Sequence, residues 1–205
     1  NTALMVEHIA HVTNGYAVIN RGWERADQVD FMKDKADCNN FFHCQEDPVK
    51  DEFLEPILRF KNRILKKHNR CFTYWIHGMG DHHRKLSGDP TLDMVLGYGL
   101  GSPNSLTCDE WIKDGFATLL IKNALTVHQG KKGGAMSGWA RQNMNQLFRK
   151  HYSDYRVASM QVEIVHELRK SSLIAEETAE ILAMAMVDML SMNERTVSPM
   201  SLSQY

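Results

Sequence analysis

The stretch CFTYWIHGMGDHH, residues 71–83, decides the fold class. Residues 71–76 are rich in β-branched and aromatic side chains, a composition that favours a β-strand. This strand runs directly into a loop of glycine and histidine that starts at His77. A strand that ends in a polar, glycine-rich loop is typical of α/β proteins, in which ligands bind at the carboxyl ends of the strands.

Working outward from this stretch, strand and helix patterns alternate along the chain. Strands are predicted over residues 3–10, 71–76, 92–96, 124–127 and 157–165. Helices are predicted over residues 48–68, with a restart at Pro56, and over 107–123, 139–150 and 172–192. A T-x-x-E capping box at Thr107 marks the start of the second of these helices. The alternation predicts an α/β fold: a three-layer sandwich with a mostly parallel central sheet and helices on both faces, in one domain over residues 1–205.

Composition excludes several classes of function. The 205 residues carry a formal net charge of −1, which argues against a nucleic-acid or anionic-membrane partner. No apolar run reaches the roughly 18 residues that a membrane span needs. The four cysteines are scattered and the chain does not open on a signal-peptide pattern, so reduced thiols and a cytoplasmic location are expected. A small-molecule substrate is the expected partner, and oligomer formation stays open.

Histidines at predicted strand ends indicate a metal site. His77 ends one strand, and His11 closes the first predicted strand in the same way. If these strands are neighbours, two imidazoles and one carboxylate would form a catalytic zinc site with an open position for water. Asp37 is the preferred third ligand, and Glu46 and Asp47 are the alternatives. The neighbouring histidines of the 77–83 loop, His82 and His83, are interpreted as a solvated pair.

Glu163 is the candidate catalytic group, because it lies inside an otherwise apolar strand between Val162 and Ile164. An unpaired buried carboxylate is costly, so Glu163 must have a partner. A metal-bound water would make it a general base, whereas an arginine such as Arg169 would make it a structural ion pair. Since side chains alternate along a strand, Val162 and Ile164 should face the opposite side of the sheet.

The glycine-rich basic segment from residue 130 onward is interpreted as a substrate clamp. Arg141 and Arg149 can form two-pronged bonds to a carboxylate, and Asn143 lies between them. The alternative is a solvated loop. The methionine-rich last helix is predicted to be core packing. Its methionines are Met184, Met186, Met189 and Met192.

Two family resemblances compete. YWIHGMGD, residues 74–81, resembles the oxyanion-loop turn of α/β-hydrolases, and the nearest candidate nucleophile is Ser137 in GAMSG, residues 134–138. That segment departs from the G-x-S-x-G spacing of a nucleophile elbow. The second resemblance uses more of the chain: His11, the Asp37-x-Asn39 segment, His77-Gly78, the glycine-rich basic loop, and MQVEI at residues 160–164 with Leu168-Arg169 behind it.

In this order, the second set of pieces resembles the N-formylglutamate amidohydrolase and poly-γ-glutamate hydrolase group. Those enzymes are zinc-dependent amide hydrolases related in fold to carboxypeptidases, and the Q-V-E-I…L-R piece matches the family strand that carries the catalytic glutamate. This chain departs from the family where His11 is followed by Val-Thr-Asn-Gly, and where His77 is followed by Gly-Met.

The leading hypothesis is a metal-dependent amidohydrolase that cleaves an amide bond of a small N-acyl or acidic, glutamate-like substrate. His11, His77 and Asp37 would hold zinc, and Glu163 would take the proton of the attacking water. Two alternatives stay open: an α/β-hydrolase-type esterase that uses the His77-Gly78 turn, and a non-catalytic binding domain on the same fold.

Overall fold

A four-stranded sheet forms the centre of the computed structural model, which describes residues 1–21, 37–45, 49–80 and 82–197, without the side chains of 86, 135 and 193–197. Its strands are β1 (Cys71–Gly78), β2 (Met94–Gly97), β3 (Val127–Gln129) and β4 (Val157–Ile164). They lie in the order β1-β4-β2-β3.

The sheet is mixed, and this decides where its loops begin. β1 pairs with β4 in parallel and β2 pairs with β3 in parallel, whereas β2 and β4 are antiparallel. The predicted mostly parallel sheet is therefore confirmed. Because β2 and β3 run against β1 and β4, however, the loops that follow them start at the other end of the sheet. The polar loops therefore do not all share one sheet edge.

Helices cover both faces, so the three-layer α/β sandwich is confirmed. The helices are α1 (Thr2–Thr13), α2 (Glu55–Leu65), α3 (His82–Ser87), α4 (Glu110–Lys122) and α5 (Ser172–Val197). α1, α4 and α5 pack on the sheet face that carries Met160, Val162 and Ile164. The other face carries Trp75 and Val157, which pack with the π-helical turn that leads into α2 and with Phe148.

Residues 3–10 form part of α1, so the predicted first strand is wrong. A short apolar run cannot be assigned to strand or buried helix from periodicity alone. Here Met5 and Ile9, four residues apart, lie on one helical face and are buried in the core. His8 consequently faces α5, with its Nε2 atom 2.7 Å from Glu180.

Other element boundaries shift for local reasons. α2 begins at Glu55 with Pro56 in its first turn, where the missing N–H costs nothing, so the predicted restart is confirmed. The cap of α4 is Asp109, and Thr107 instead donates its hydroxyl to the Ser159 carbonyl at 2.7 Å, so the predicted capping box is wrong. In place of the predicted helix over 139–150, there are short 3₁₀ and π turns from Met144 to His151.

The last helix is confirmed as α5, but its methionines divide between core and surface. Met186 and Met189 are buried, whereas Met184 and Met192 are 55% and 41% exposed. The prediction that all four pack in the core is half wrong. Among the described helices, none is both long enough and apolar enough to cross a bilayer.

Candidate active site

His77 and Glu163 lie side by side at the carboxyl ends of two neighbouring parallel strands. The register of β1 and β4 pairs His77 with Glu163, and Trp75 with Gln161 two residues earlier. Paired residues of adjacent strands project from the same face of the sheet. The imidazole and the carboxylate therefore share one surface, and Val95 of β2 borders Glu163 on its other side.

The ring of His77 is buried and has one nitrogen without a partner among the described residues. Its Nε2 atom is out of contact with solvent and has no hydrogen-bond partner within the part of the chain that the structure describes. Burial lowers the pKa of His77, and the negative charges of Glu163 and Asp37 act in the opposite direction. A buried ring nitrogen without a partner is unusual, because leaving one unsatisfied costs free energy. It is available for a bound group.

Glu163 is half-buried and is held from its own strand. Its Oε1 atom accepts a hydrogen bond of 2.5 Å from the Gln161 side chain. Val162 and Ile164 are fully buried on the opposite face, which confirms the predicted alternation. Arg169 donates to the carbonyls of Ile164 and Met79, at 3.2 and 2.9 Å. Its hydrogen bonds therefore go to the backbone, and the proposed Arg169 ion pair does not explain Glu163.

Asn143 orients this pair from the loop that covers the sheet. Its side-chain amide donates to Gln161 Oε1 at 3.1 Å, and its Oδ1 atom accepts from the backbone N–H of Asn145. Its backbone forms an isolated bridge with Asn40. Asn143 was predicted to bind substrate. The structure shows it supporting Gln161, and through Gln161 it supports Glu163.

A second hydrogen-bond network lies deeper under the same loop. Trp75 Nε1 donates to the Ser159 hydroxyl at 2.8 Å, and that hydroxyl donates to Asn145 Oδ1 at 2.9 Å. Asn145 in turn donates to the Thr107 hydroxyl and to the Gly97 carbonyl, both at 3.2 Å. The side chains of Trp75, Ser159 and Asn145 all have partners in this hydrogen-bond network, so the network attaches the loop to the sheet. The sequence analysis missed Gln161, Ser159 and Asn145. The alternation of Ser159 and Gln161 with apolar residues along 157–164 was a readable signal, whereas Asn145 lies outside that strand.

Asp37 and Asn39 approach His77 from a separate segment. Both line the same cavity as His77, and Asp37 lies close enough to influence its pKa. Asp37 Oδ1 accepts a hydrogen bond of 2.9 Å from the Asn39 N–H. Asn39 Oδ1 is buried and has no partner among the described residues. Two polar atoms, one on Asn39 and one on His77, are thus left open in one region.

His83 adds a further imidazole. Burial and the neighbouring His82 lower the pKa of His83, while Glu163 acts to raise it. The rings of His82 and His83 are in contact, with centroids 3.8 Å apart and a tilt of 40° between their planes. His83 was interpreted as half of a solvated pair, but the electrostatic influence of Glu163 places it in the same neighbourhood. Asp81, between these residues and His77, lies outside the described residues.

His11 does not occupy the strand end that the sequence predicted. It is exposed in the last turn of α1, because residues 3–10 form a helix. Within the described ranges, no group of three or more His, Cys, Asp or Glu side chains is arranged to hold a metal ion. His11, His77 and Asp37 are therefore not gathered into a ready site. Glu46 and Asp47, the alternative ligands, lie outside the described residues.

The two candidate arginines occupy different places. Arg141 is exposed, and its carbonyl oxygen lies 2.8 Å from His151 Nε2. Arg149 lies over the ring of Tyr155, 4.4 Å from its centroid. Tyr155 precedes β4, and Glu163 lies near the other end of that strand. Arg149 is therefore distant from the His77–Glu163 pair along β4.

The glycines around the basic loop serve close packing. A Cβ atom on Gly97 would come 2.3 Å from the Met136 carbonyl oxygen, and one on Gly130 would come 2.6 Å from Ser137 Cα. Ser137 is fully buried, and its hydroxyl donates to the Gly134 carbonyl at 2.8 Å. This hydroxyl is buried and hydrogen-bonded, which does not suit the nucleophile of the esterase alternative.

A cavity of about 830 Å³ connects His77, Asp37 and Asn39 with the edge of the sheet. It runs along β1 between α1 and α2, and it reaches His77, Gly78, Asp37 and Asn39 at one end. This volume falls within the usual range for a ligand site.

Comparisons with known proteins define the class of fold. No protein-family model and no curated protein matches the chain. Among solved structures, the α/β sandwich is shared with a gene product of Agrobacterium tumefaciens, with a TM-score of 0.55 and 15% identity over 94% of this chain and 78% of that one. It is also shared with the N-formylglutamate amidohydrolase of Ralstonia eutropha, with a TM-score of 0.53 and 16% identity over 73% of this chain.

The match covers 52% of that amidohydrolase, so the chain spans about half of its length. At such identities the likeness establishes the fold. The resemblance inferred from the sequence motifs is thus confirmed as a distant structural one.

Proposed function

We propose that the chain is a hydrolase that cleaves an amide bond of a small N-acyl or acidic, glutamate-like substrate. The observation that carries this proposal is the His77–Glu163 pair: the His77 ring nitrogen is buried without a partner among the described residues, and His77 lines one end of a large cavity. The fold shared with an N-formylglutamate amidohydrolase supports the choice of an amide bond. This chain spans about half of that enzyme's length, so the enzyme's activity is assigned to this chain only as part of the proposal.

Glu163 would act as the general base. Its carboxylate accepts a hydrogen bond from Gln161, which leaves the remaining lone pairs free to accept a proton from water. The same group would then pass the proton to the leaving amine, which avoids expelling an amide anion. Gln161 and Asn143 would act as positioning residues, because Gln161 donates to the Glu163 carboxylate and Asn143 donates to Gln161.

Zinc is the proposed cofactor, and the described residues fit it in donor type but not in number. His77 Nε2 has no partner in the described part of the chain and the Asp37 carboxylate lies nearby, a nitrogen and oxygen donor pair typical of zinc. When bound, zinc would acidify a water molecule and polarise the substrate carbonyl. His11 remains the second histidine ligand predicted from sequence. Its exposed place on α1 means that its contribution needs a separate test.

Arg141 is retained as the proposed contact for a substrate carboxylate. Its side chain is exposed on the loop that also carries Asn143. Arg149 was the second residue predicted for this role, but its guanidinium lies over Tyr155. We therefore propose Arg141, rather than Arg149, as the contact for the substrate carboxylate.

The test compares Glu163→Gln with a matched control, Glu176→Gln. The control makes the same change of carboxylate to carboxamide at an exposed position of α5. Both proteins are assayed on a panel of N-acyl amides, N-formylglutamate included, with and without added zinc. Turnover should fall by roughly 10²–10⁴ in Glu163→Gln, the usual contribution of a positioned acid–base group. The control should keep wild-type turnover, and both should retain the wild-type zinc content.

His77→Ala separates the two roles within the pair. It should lose zinc and activity together, because a ligand has gone. Full activity in a folded Glu163→Gln protein would contradict the general-base assignment. A wild-type protein that binds zinc but hydrolyses no member of the panel would favour the non-catalytic binding domain.

A further inference from the structure

β1 lies at the edge of the sheet, and one side of its backbone has no neighbouring strand among the described residues. In the described part of the chain it pairs with β4 alone. The N–H of Cys71 donates to Arg156 O at 2.9 Å, and the N–H of Met79 donates to Ile164 O at 2.7 Å. Both bonds point toward the β4 side. Since N–H directions alternate along a strand, even-numbered residues of β1 must point the other way.

The outward N–H groups of Phe72, Tyr74 and Ile76 have no hydrogen-bond acceptor among the described residues. Native proteins usually pair or cover such an edge, because it is a template for another strand. Here the edge faces the cavity, and all three residues line it. The cavity is therefore bordered by unused main-chain donors along much of β1, which at about 3.3 Å per residue is some 26 Å long.

The walls of the cavity suit a chain in extended conformation. Apolar side chains line it from both flanking helices, with Ile9 on α1 and Ile57 and Phe60 on α2. The ring of Phe60 stacks on Tyr16 at 4.4 Å, which gives this side of the cavity a flat aromatic border. An occupant that alternates apolar and polar side chains could use both the walls and the main-chain edge.

The charge along the cavity is positive. Arg63 and Lys67 are exposed, line the cavity, and have no carboxylate partner within the described ranges. Two other lining cations, Lys61 and Arg70, are already paired with aspartates, at 3.1 and 2.7 Å. Asp37, at the far end beside His77, is the one acidic residue in the described lining. The unpaired cations therefore favour an anionic occupant near α2.

We propose that the edge of β1 is a docking groove for an extended, acidic segment of another protein, which binds as an additional strand. Main-chain hydrogen bonds to Phe72, Tyr74 and Ile76 supply affinity, and Arg63 and Lys67 supply the preference for acidic side chains. A second copy of this chain is the alternative occupant, and the test below distinguishes it from an acidic segment. This inference does not depend on the proposed hydrolase activity.

The probe is the peptide acetyl-Glu-Val-Glu-Val-Glu-Val-amide carrying a fluorophore, with a Lys-Val peptide of equal length for comparison. Binding is followed by fluorescence anisotropy with the whole chain. The acidic peptide should bind at least about tenfold more tightly than the basic one, and added salt should reduce the difference. Two further peptides carry N-methyl groups on the three Glu or on the three Val residues. One should lose binding and the other should keep it, because alternate amides face the edge.

Variants of the protein test whether the cations of the groove set the preference for an acidic peptide. Arg63→Glu combined with Lys67→Glu should weaken the acidic peptide by about tenfold or more. Lys122→Glu combined with Lys131→Glu, two exposed lysines outside the cavity lining, should leave its affinity unchanged. Glu163→Gln should also bind like wild type, which keeps this test separate from that of the hydrolase.

Several results would overturn the proposal. No binding of the acidic peptide would mean that the edge is covered or closed in solution. Equal loss, or no loss, with both N-methylated peptides would exclude strand pairing. A dimer that forms with rising protein concentration and excludes the peptide would assign the edge to a second copy of the chain.

Discussion

The two faces of β4 differ in polarity: one is apolar and the other is polar. On one face, Ala158, Met160, Val162 and Ile164 pack against α1, α4 and α5, and all four are almost entirely buried. On the other face, Ser159, Gln161 and Glu163 are polar. Ser159 is hydrogen-bonded to Trp75 of β1 and to Asn145, and Gln161 is hydrogen-bonded to Asn143 and Glu163. One strand thus supplies the centre of the core and the centre of the candidate site.

The difference shows what each face demands from its surroundings. An apolar face needs neighbours of the right volume, and three helices provide them. A polar face needs specific partners, because each buried group without a partner is destabilising. The network of Ser159, Gln161 and Asn145 meets this need near the sheet centre, whereas His77 Nε2 at the strand end is left open. Open polar atoms next to satisfied ones mark where a ligand would bind.

The largest effect on stability is expected from the apolar face. Met160→Ala should lower the free energy of unfolding by about 2–5 kcal/mol, because it removes a buried side chain and leaves a cavity. Met184→Ala, at an exposed site of α5, should change it by less than about 0.5 kcal/mol. Urea unfolding of both variants measures this. Equal values for the two methionines would refute the contrast drawn between core and surface.

A smaller effect is expected on the polar face. Ser159→Ala removes the acceptor of the Trp75 N–H and the donor to Asn145, and should cost about 1–3 kcal/mol. Trp75→Phe in the same background should add little further loss, since its partner is already gone. A double-mutant cycle in urea gives this coupling. If the two losses simply add, the residues do not act as one network.

The smallest effect on stability is expected where α2 covers the polar face of β4. The Asp154 carboxylate binds Arg156 through paired hydrogen bonds of 2.9 and 3.0 Å, and Lys61 of α2 at 3.1 Å. These contacts, with Arg156 first, lower the pKa of Asp154 to about 2. Because solvent weakens such pairs, Asp154→Asn should cost about 1 kcal/mol at neutral pH.

The sign of the pH dependence follows from that lowered pKa. A carboxyl group whose pKa is lower in the folded state stabilises the fold above its unfolded pKa, near 3.9, and loses this effect as pH falls toward about 2. Wild type and Asp154→Asn should therefore converge in stability between about pH 4 and pH 2. Asp188→Asn, an exposed control on α5, should follow wild type throughout. A constant gap down to pH 2 would exclude the charge of Asp154 as the cause.

Local pattern was enough to predict β1, β2, β4 and α5, because each has either a dense β-branched and aromatic run or a long helical period. Residues 3–10 misled the prediction, since eight mostly apolar residues satisfy both a buried strand and a buried helix. That one error also moved His11 from a strand end to the surface of α1. Thr107 shows a similar limit: its hydroxyl bonds to β4, a residue far away in sequence.

Sequence by itself determined the layered α/β class, the His77 strand end and the two-sided character of residues 157–164, because these depend on periods of two and 3.6 residues that are written locally. Tertiary structure alone decided that β2 runs against β4, that His77 pairs with Glu163, and that Gln161 is fastened by Asn143. The physical reason is that strand order, direction and register depend on contacts between residues far apart in the chain. Such contacts leave no periodic trace in a single sequence.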